Sequence, residues 1–463
     1  MTDGGLTDDP ELGDDALFQT QADQVYAELL ERVGEANPRP RLDATRRAVE
    51  LLGDPHRAYP IIHITGTNGK TSTSRIAESI LRAHGLRTGL LTSPHLVRVN
   101  ERIMIDGEPI SNEAFVTNWR DIMPYLDMVD EELQQKGESP LTFFEAFTVL
   151  AFASFAEAPI DVAVVEVGMG GEWDSTNVAD GQVAVFAPIS LDHVARLGST
   201  VGEIAHTKAG IIKQGAIVVS ASQLPDALSQ LQAAARDRDA TLNVQDDQFE
   251  LVSTSVAVGG QLITVRGRAA RYDDVFLPLF GDHQAQNATV AIAAVESFLG
   301  DGTQPIADDV LAEGLATATS PGRLQLIGIE PSVIVDAAHN PHGATAVAAA
   351  MREYFNFDEI VIVLGVLEDK DAEGIIDLLA PLTHRFHVTA SSSERAITPD
   401  DLAYLVRNAV GADATWEFDT LTEAVESARE WAAEAANRAV LVTGSITMVG
   451  ETLALARENG WLR

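Results

Sequence analysis

The stretch HITGTNGKTSTSR (63–75) sets a glycine-rich loop between two segments of different periodicity, and few folds accommodate that arrangement. Ahead of it, YPIIHIT (59–65) is a short apolar run rich in β-branched residues, which suits a strand buried on both faces. Behind it, residues 70–84 carry Ile76, Ile80, Leu81 and His84 at helical spacing, and Gly85 fits the C-terminal cap. TGLLTS (88–93) reads as the next strand, so the whole is a βαβ unit and a parallel sheet is expected. The loop also constrains chemistry. Backbone N–H groups at a helix N-terminus attract an anion, Lys70 adds a positive charge, and the Thr71 hydroxyl can face a divalent cation. With Gly66 and Gly69 these residues resemble a phosphate-binding loop, although the general pattern has glycine where this chain has Ile64.

Later runs repeat the theme. IDVAVVEVG (160–168), VAVFAPIS (183–190) and AIVVSAS (216–222) are continuous apolar strands, whereas residues 241–280 show hairpin-like alternation. A helix is expected over 285–299, broken by GDGTQPIADD (300–309). Beyond 320 a second alternation starts, with strands SVIVDAA (332–338), EIVIVLG (359–365), RFHVTAS (385–391) and AVLVTGS (439–445). At 463 residues the chain exceeds one ordinary core, and the patterns divide it into α/β domains over 16–320 and 321–463. Residues 1–15 hold six carboxylates and no basic side chain, and are expected to be a flexible acidic leader outside the fold.

Charge and composition exclude several function classes. A formal charge of −37 repels polyanions, so nucleic acid and anionic membrane are not expected partners, and a nucleotide must be captured by local features. The longest strongly apolar run, Ala146 to Ala156, is well short of the roughly 20 residues of a membrane span. No basic segment followed by an apolar stretch opens the chain, and the absence of cysteine rules out disulfides and thiolate metal sites. Together these favour a cytoplasmic protein.

Open parallel sheets bind ligands at the carboxyl ends of their strands. Applied to the strands above, that rule gathers Ser93, Glu166, Asp192 and His193, a set able to hold a divalent metal beside a triphosphate. At this point the residues resemble a known family. TGTNGKT is the form of the loop found in the Mur ligase superfamily, in which Ile64 is no anomaly. SPHLVRVNERI (93–103), LTFFEAFTVLAF (141–152), EVGMGGEWDSTN (166–177), LDHVARLG (191–198), TKAGIIK (207–213), GDHQAQNA (281–288), PGRLQ (321–325) and DAAHNPHG (336–343) resemble its folylpolyglutamate synthase and dihydrofolate synthase branch, in the family's order.

The resemblance implies a Mur-ligase-like P-loop ATPase domain with a parallel sheet, followed by a smaller Rossmann-like α/β domain that closes over it. It implies an ATP-dependent ligase adding L-glutamate to dihydropteroate, to reduced folates or to both through an acyl phosphate. The loop Gly66, Thr67, Asn68, Gly69, Lys70, Thr71 and Ser72 would hold ATP, joined by Asn287 and Arg323, with Asp336 and His339 from the second domain. Two Mg²⁺ ions are implied: Ser93 and Glu166 would hold one and His193 the other, beside Lys208, which corresponds to a lysine the family carbamylates. Lys70, Glu166, His193 and Lys208 would carry the catalysis, and Thr142, Phe144 and Asp174 would bind the pterin end. Arg395 and His339 are candidate partners for a glutamate carboxylate, and a monomer is expected.

Three departures from the family pattern stand out. Ser72 replaces a common glycine, Glu172 stands where a basic residue is usual, which puts substrate contacts there in question, and Val194 and Ala195 replace polar residues after His193. A cell-wall Mur ligase is the nearest rival, disfavoured by SPHLVRVNERI and LTFFEAF. A regulatory GTPase would need an Asn-Lys specificity motif that the chain lacks, and a silent nucleotide-binding protein would differ in showing no acceptor-dependent ADP release.

Overall fold

The computed structural model describes residues 10–34 and 39–462. Among them, eight strands form the first sheet: β1 (Ile61–Thr65), β2 (Thr88–Leu91), β3 (Ile103–Ile105), β4 (Glu108–Pro109), β5 (Val162–Glu166), β6 (Val183–Phe186), β7 (Ile217–Ser220) and β8 (Thr241–Val244). Their order is β4-β3-β2-β5-β1-β6-β7-β8. From β2 to β8 all neighbours run parallel, and β3 and β4 add an antiparallel edge.

Every residue of β1 is buried because the sheet is covered on both faces. Ile62 and Ile64 pack with Ile76, Ala77 and Ile80 of the helix Lys70–Ala83 and with the helix Asp282–Gly300. On the opposite face, Ile61 and Val165 meet Phe147, Ala151 and Phe155 of the helix Phe143–Glu157, together with Ala22, Val25 and Leu29 of the helix Pro10–Leu30. Full burial of one such isoleucine or phenylalanine is worth about 1.5–3 kcal/mol, so these layers fix where the loops between them emerge.

Two expectations change. The helix Pro10–Leu30 begins inside the stretch read as leader, so residues 10–15 are helical; the rest of that reading, residues 1–9, lies outside the described residues. Its docked half supplies a helical template onto which further residues add cheaply, whatever their charge. Within 241–280, β8 completes the parallel sheet, and only β9 (Glu250–Ala257), β10 (Gly260–Arg266) and β11 (Arg271–Leu277) form an antiparallel sheet.

The last sheet comprises β12 (Gln325–Ile329), β13 (Ser332–Asp336), β14 (Glu359–Leu364), β15 (Phe386–Val388), β16 (Thr415–Glu417) and β17 (Arg438–Thr443), ordered β12-β13-β17-β14-β15-β16. All pairs are parallel except β12 with β13. Alternate residues serve two cores: Ile334, Ile362 and Leu364 face the helices Pro341–Tyr354 and Pro399–Val410, whereas Val335, Val361 and Val363 face Leu421–Ala433 and Ile446–Glu458.

Candidate active site

The two large sheets direct the carboxyl ends of their parallel strands at one cleft of ≈ 740 Å³. The segment Gly66 to Ser72 enters it after β1, Ser93 after β2, Glu166 at the end of β5, and His193 in the loop after β6. Lys208 comes from the helix Val201–Ala209, Asn287 from Asp282–Gly300 and Arg323 from the segment joining the sheets. Asp336 ends β13, His339 follows it, and Thr142, Phe144 and Asp174 line the cleft beside the helix Phe143–Glu157. Every site residue singled out from the sequence therefore borders the same space.

The phosphate loop is held by its neighbours. Gly69 has φ +86° and caps the helix Lys70–Ala83; a Cβ there would collide with the Asn287 side chain. Thr67 Oγ1 donates to the Ser190 carbonyl and accepts from its N–H, both at 3.0 Å. Lys70 Nζ donates to the carbonyls of Gly66 (3.2 Å) and Thr67 (3.3 Å), and Lys208 Nζ donates to Gly66 O at 2.8 Å. Thr71 Oγ1 donates to Glu166, 2.9 and 3.0 Å from its two oxygens, and Ser72 Oγ bonds Ser320 Oγ at 2.9 Å. Asn68 Nδ2 is buried with no hydrogen-bond partner among the described residues, and Ser445 Oγ is likewise buried across the cleft. Donors left in that condition are costly, and phosphate oxygens are acceptors suited to them.

Burial sets the electrostatics. It lowers the Lys208 ammonium to about 7, helped by the charge of Lys70, so near neutral pH much of this lysine is a free amine. It raises the Glu166 carboxyl against the pull of Lys70 and Thr71, and raises Asp336 against Arg323. His193 and His339 are both pushed down to about 4, first by burial and then by nearby cations including Lys370. His339 Nδ1 donates to the Ala337 carbonyl at 2.9 Å, which leaves its Nε2 as an acceptor in the neutral ring. Burial would raise Asp192, but the surrounding His193, Lys370 and His339 hold it well below the usual carboxylate range. Since both histidines are neutral at pH 7, Lys370 is the cation that matters there.

Among the described residues no three His, Asp or Glu side chains gather as a metal set. Glu166 nevertheless suits a cation: it is buried, and its oxygens meet Thr71 Oγ1 and, at 3.4 Å, the Ser93 N–H. Glu166 and the hydroxyl of Ser93, which lines the same cleft, are hard oxygen donors of the kind that a divalent cation takes beside phosphate oxygens.

At the other end of the cleft, Thr142, Phe144 and Asp174 all line the space, two of them with local partners as well. Phe143 is buried and stacks on Phe147, while Phe144 faces the cleft, with Gly168 so close that a Cβ would lie 2.6 Å from the ring. Asp174 accepts from Met169 N (2.9 Å), Thr176 N (3.0 Å) and Thr176 Oγ1 (2.5 Å), so much of its capacity goes to shaping this loop. Thr142 caps its helix by accepting from Glu145 N at 3.2 Å. Glu172 is exposed and lies outside the cleft lining, next to Trp173 and Asp174, which are part of it. Lys370 escaped the sequence reading: it sits in the acidic run EDKD (368–371), which looks like a solvated surface. Asn340 escaped too, and its Nδ2 donates to Asn68 Oδ1 at 3.1 Å across the cleft.

A phosphate loop on one parallel sheet, facing a second α/β sheet over a cleft that holds a buried carboxylate and a buried lysine, defines the Mur ligase class. Residues 64–295 match the Mur ligase middle domain and residues 322–446 the Mur ligase glutamate ligase domain. The chain is 41% identical over 453 residues to the dihydrofolate synthase/folylpolyglutamate synthase of Mycobacterium tuberculosis, with 93% of each covered. Its fold matches Mycobacterium tuberculosis folylpolyglutamate synthase complexed with ADP at a TM-score of 0.90 and 40% identity, over 95% of this chain and 98% of that one. Escherichia coli FolC in complex with DHPP and ADP matches at 0.81 and 28% identity, over 94% and 98%. The chain belongs to the folylpolyglutamate synthase/dihydrofolate synthase family.

Proposed function

We propose that this protein uses ATP to join L-glutamate to dihydropteroate and to reduced folates. The observation that carries the reading is the convergence of the phosphate loop, Glu166, Lys208, Asp336 and His339 on one cleft, in a chain of this family. The triphosphate lies over the N–H groups of Gly69 to Ser72, those of Thr67 and Asn68 being taken by the Pro188 carbonyl, and Lys70 leaves its carbonyl contacts to reach the β and γ phosphates. The acceptor carboxylate attacks the γ phosphorus and ADP departs; the amine of glutamate then attacks the acyl carbon and phosphate departs. Both reacting partners of the first step are anions, so positive charge and fixed N–H dipoles must meet them there.

Ser93 and Glu166 would hold one Mg²⁺ and His193 another, with Lys208 as its carbamate, and the ions would neutralise charge between triphosphate and carboxylate. The free-amine character of Lys208 suits it to take up carbon dioxide with release of a proton, and the carbamate would place a metal-facing anion beside Lys70. Phe144, in the first turn of the helix Phe143–Glu157, gives the pterin a flat apolar face against the loop shaped by Asp174, with Thr142 beside it. Asn287 and Arg323 contact the nucleotide near the junction, Asp336 and His339 complete it from the second sheet, and Arg395 receives a glutamate carboxylate, a part that the Nε2 acceptor of neutral His339 does not share.

We take the chain from the helix Pro10–Leu30 to residue 320, and residues 321–463, as two domains of a cytoplasmic monomer; among the described residues no helix is long and apolar enough to cross a membrane. The deciding experiment measures ADP formation with Mg²⁺, ATP and L-glutamate, adding dihydropteroate or tetrahydrofolate separately, with mass analysis of the product. A gain of one glutamate with both acceptors is expected; ADP release with neither would overturn the assignment. Lys208→Ala should abolish ligation, and short carboxylic acids should restore part of it; an unaffected variant would remove Lys208 from the site.

A further inference from the structure

Asp192 and Lys370 approach each other across the cleft, one from each large sheet. Asp192 lies in the loop after β6, and Lys370 in the loop after β14. Lys370 Nζ stands 3.0 Å from Asp192 Oδ1, and the two side chains are only 8% and 11% exposed. Both loops are braced: the Lys370 N–H donates to Leu367 O at 3.0 Å, the Glu368 N–H to Arg395 O at 2.8 Å, and the His193 N–H to Asp192 Oδ1 at 2.8 Å. A second bridge, Asn340 to Asn68, crosses the same gap at the phosphate loop itself. Two braced loops that share a largely desolvated ion pair separate only by giving up that attraction, which leaves Lys370 with Asp369, 3.7 Å away and more exposed, and Asp192 with the His193 N–H.

We propose that the Lys370–Asp192 pair is the clasp that holds the cleft shut, and that Lys370 is a positioning residue that keeps water from the activated carboxylate until the amine has reacted. This rests on the ligase reading above, because its benefit lies in the fate of the acyl phosphate. Attack by amine yields amide and phosphate; attack by water returns the free carboxylate and phosphate, so one ATP is spent with no bond made. Closure that excludes water selects the first outcome.

The test uses the full chain and four variants: Lys370→Met, Asp192→Asn, the double variant, and Lys370→Arg. Small-angle scattering of substrate-free protein, with divalent metal removed, reports closure. The ratio of ADP released to amide formed, together with KM and kcat for glutamate, reports coupling. Each single neutralising variant should widen the particle and raise ADP per amide by about tenfold. The double variant should be no worse than either, and Lys370→Arg should restore both readouts. Unchanged scattering with one ADP per amide in folded Lys370→Met overturns the clasp. So does a raised KM for glutamate with closure and coupling intact, which would place Lys370 on a substrate carboxylate instead. If Lys370→Met fails to fold, Asp192→Asn and Lys370→Arg decide by scattering alone. Failure of the wild type to ligate would overturn the folate reading, while scattering would still judge the clasp.

Discussion

The ammonium of Lys70 occupies its own loop, bonded to Gly66 O and Thr67 O, and must be drawn away from them by phosphate. Lys70→Ala should therefore lower kcat for ligation by about 10³-fold while leaving the thermal melt close to wild type, since only solvent-side carbonyl contacts are lost. Near-normal turnover in the folded variant would remove the loop from the chemistry. Beneath it on β1, His63 is fully buried; its Nε2 bonds Thr176 Oγ1 at 2.9 Å, and burial, with Lys213 nearby, pushes the ring down to about 3. The folded state thus binds fewer protons than the unfolded state between pH ~6.5 and the folded value, so stability falls as pH falls through that window, by about 1.4 kcal/mol per unit from this residue. His63→Gln should flatten the plot of unfolding free energy against pH by up to about one proton over the window, measured by urea titration. At this scale the phosphate loop was legible because its chemistry is local in sequence. Lys370 was not, because its partner lies 178 positions away and its neighbours are acidic.

Among the elements, the helix Phe143–Glu157 is the one that most depends on a single distant side chain. Glu145 closes its capping box, accepting from Thr142 N at 2.7 Å, and Arg41 grips the same carboxylate with Nε and Nη2 at 2.8 and 2.9 Å. Arg41 also donates to the carbonyls of Ser139 and Pro140, so it ties the approach to the helix. Arg41→Met should cost about 3 kcal/mol in urea unfolding, because Glu145 stays buried without its partner. A loss below the error of the measurement would show that the helix is held by its apolar face alone. Central strands were legible as continuous apolar runs, being covered on both sides. The edges were not: β8 has one parallel neighbour and passes from exposed Thr241 through half-buried Leu242 to buried Asn243, so it lacks a continuous apolar run, and β3 and β4 are too short to carry a period.

For the molecule as a whole, the charge of −37 at pH 7 acts on stability as well as on choice of partner. Compact folding brings like charges together, and salt screens them. The melting temperature should rise with KCl from about 0.05 to about 1 M, and more steeply than for a protein of balanced charge; a flat or falling curve would mean that local ion pairs outweigh the general repulsion. The division into two α/β sheets was visible in the alternating runs, whereas the way their loops interlock was not, since interlocking is a property of surfaces rather than of periods. The cleft draws its lining from Tyr26 at one end of the chain to Thr447 near the other. Such distant parts come together late, after local helices and strands have formed. A chain emerging from the ribosome therefore carries its phosphate loop through the synthesis of several hundred further residues without the walls that complete the site, and the capacity to split ATP arrives only once residues as far as Thr447 are available to use it.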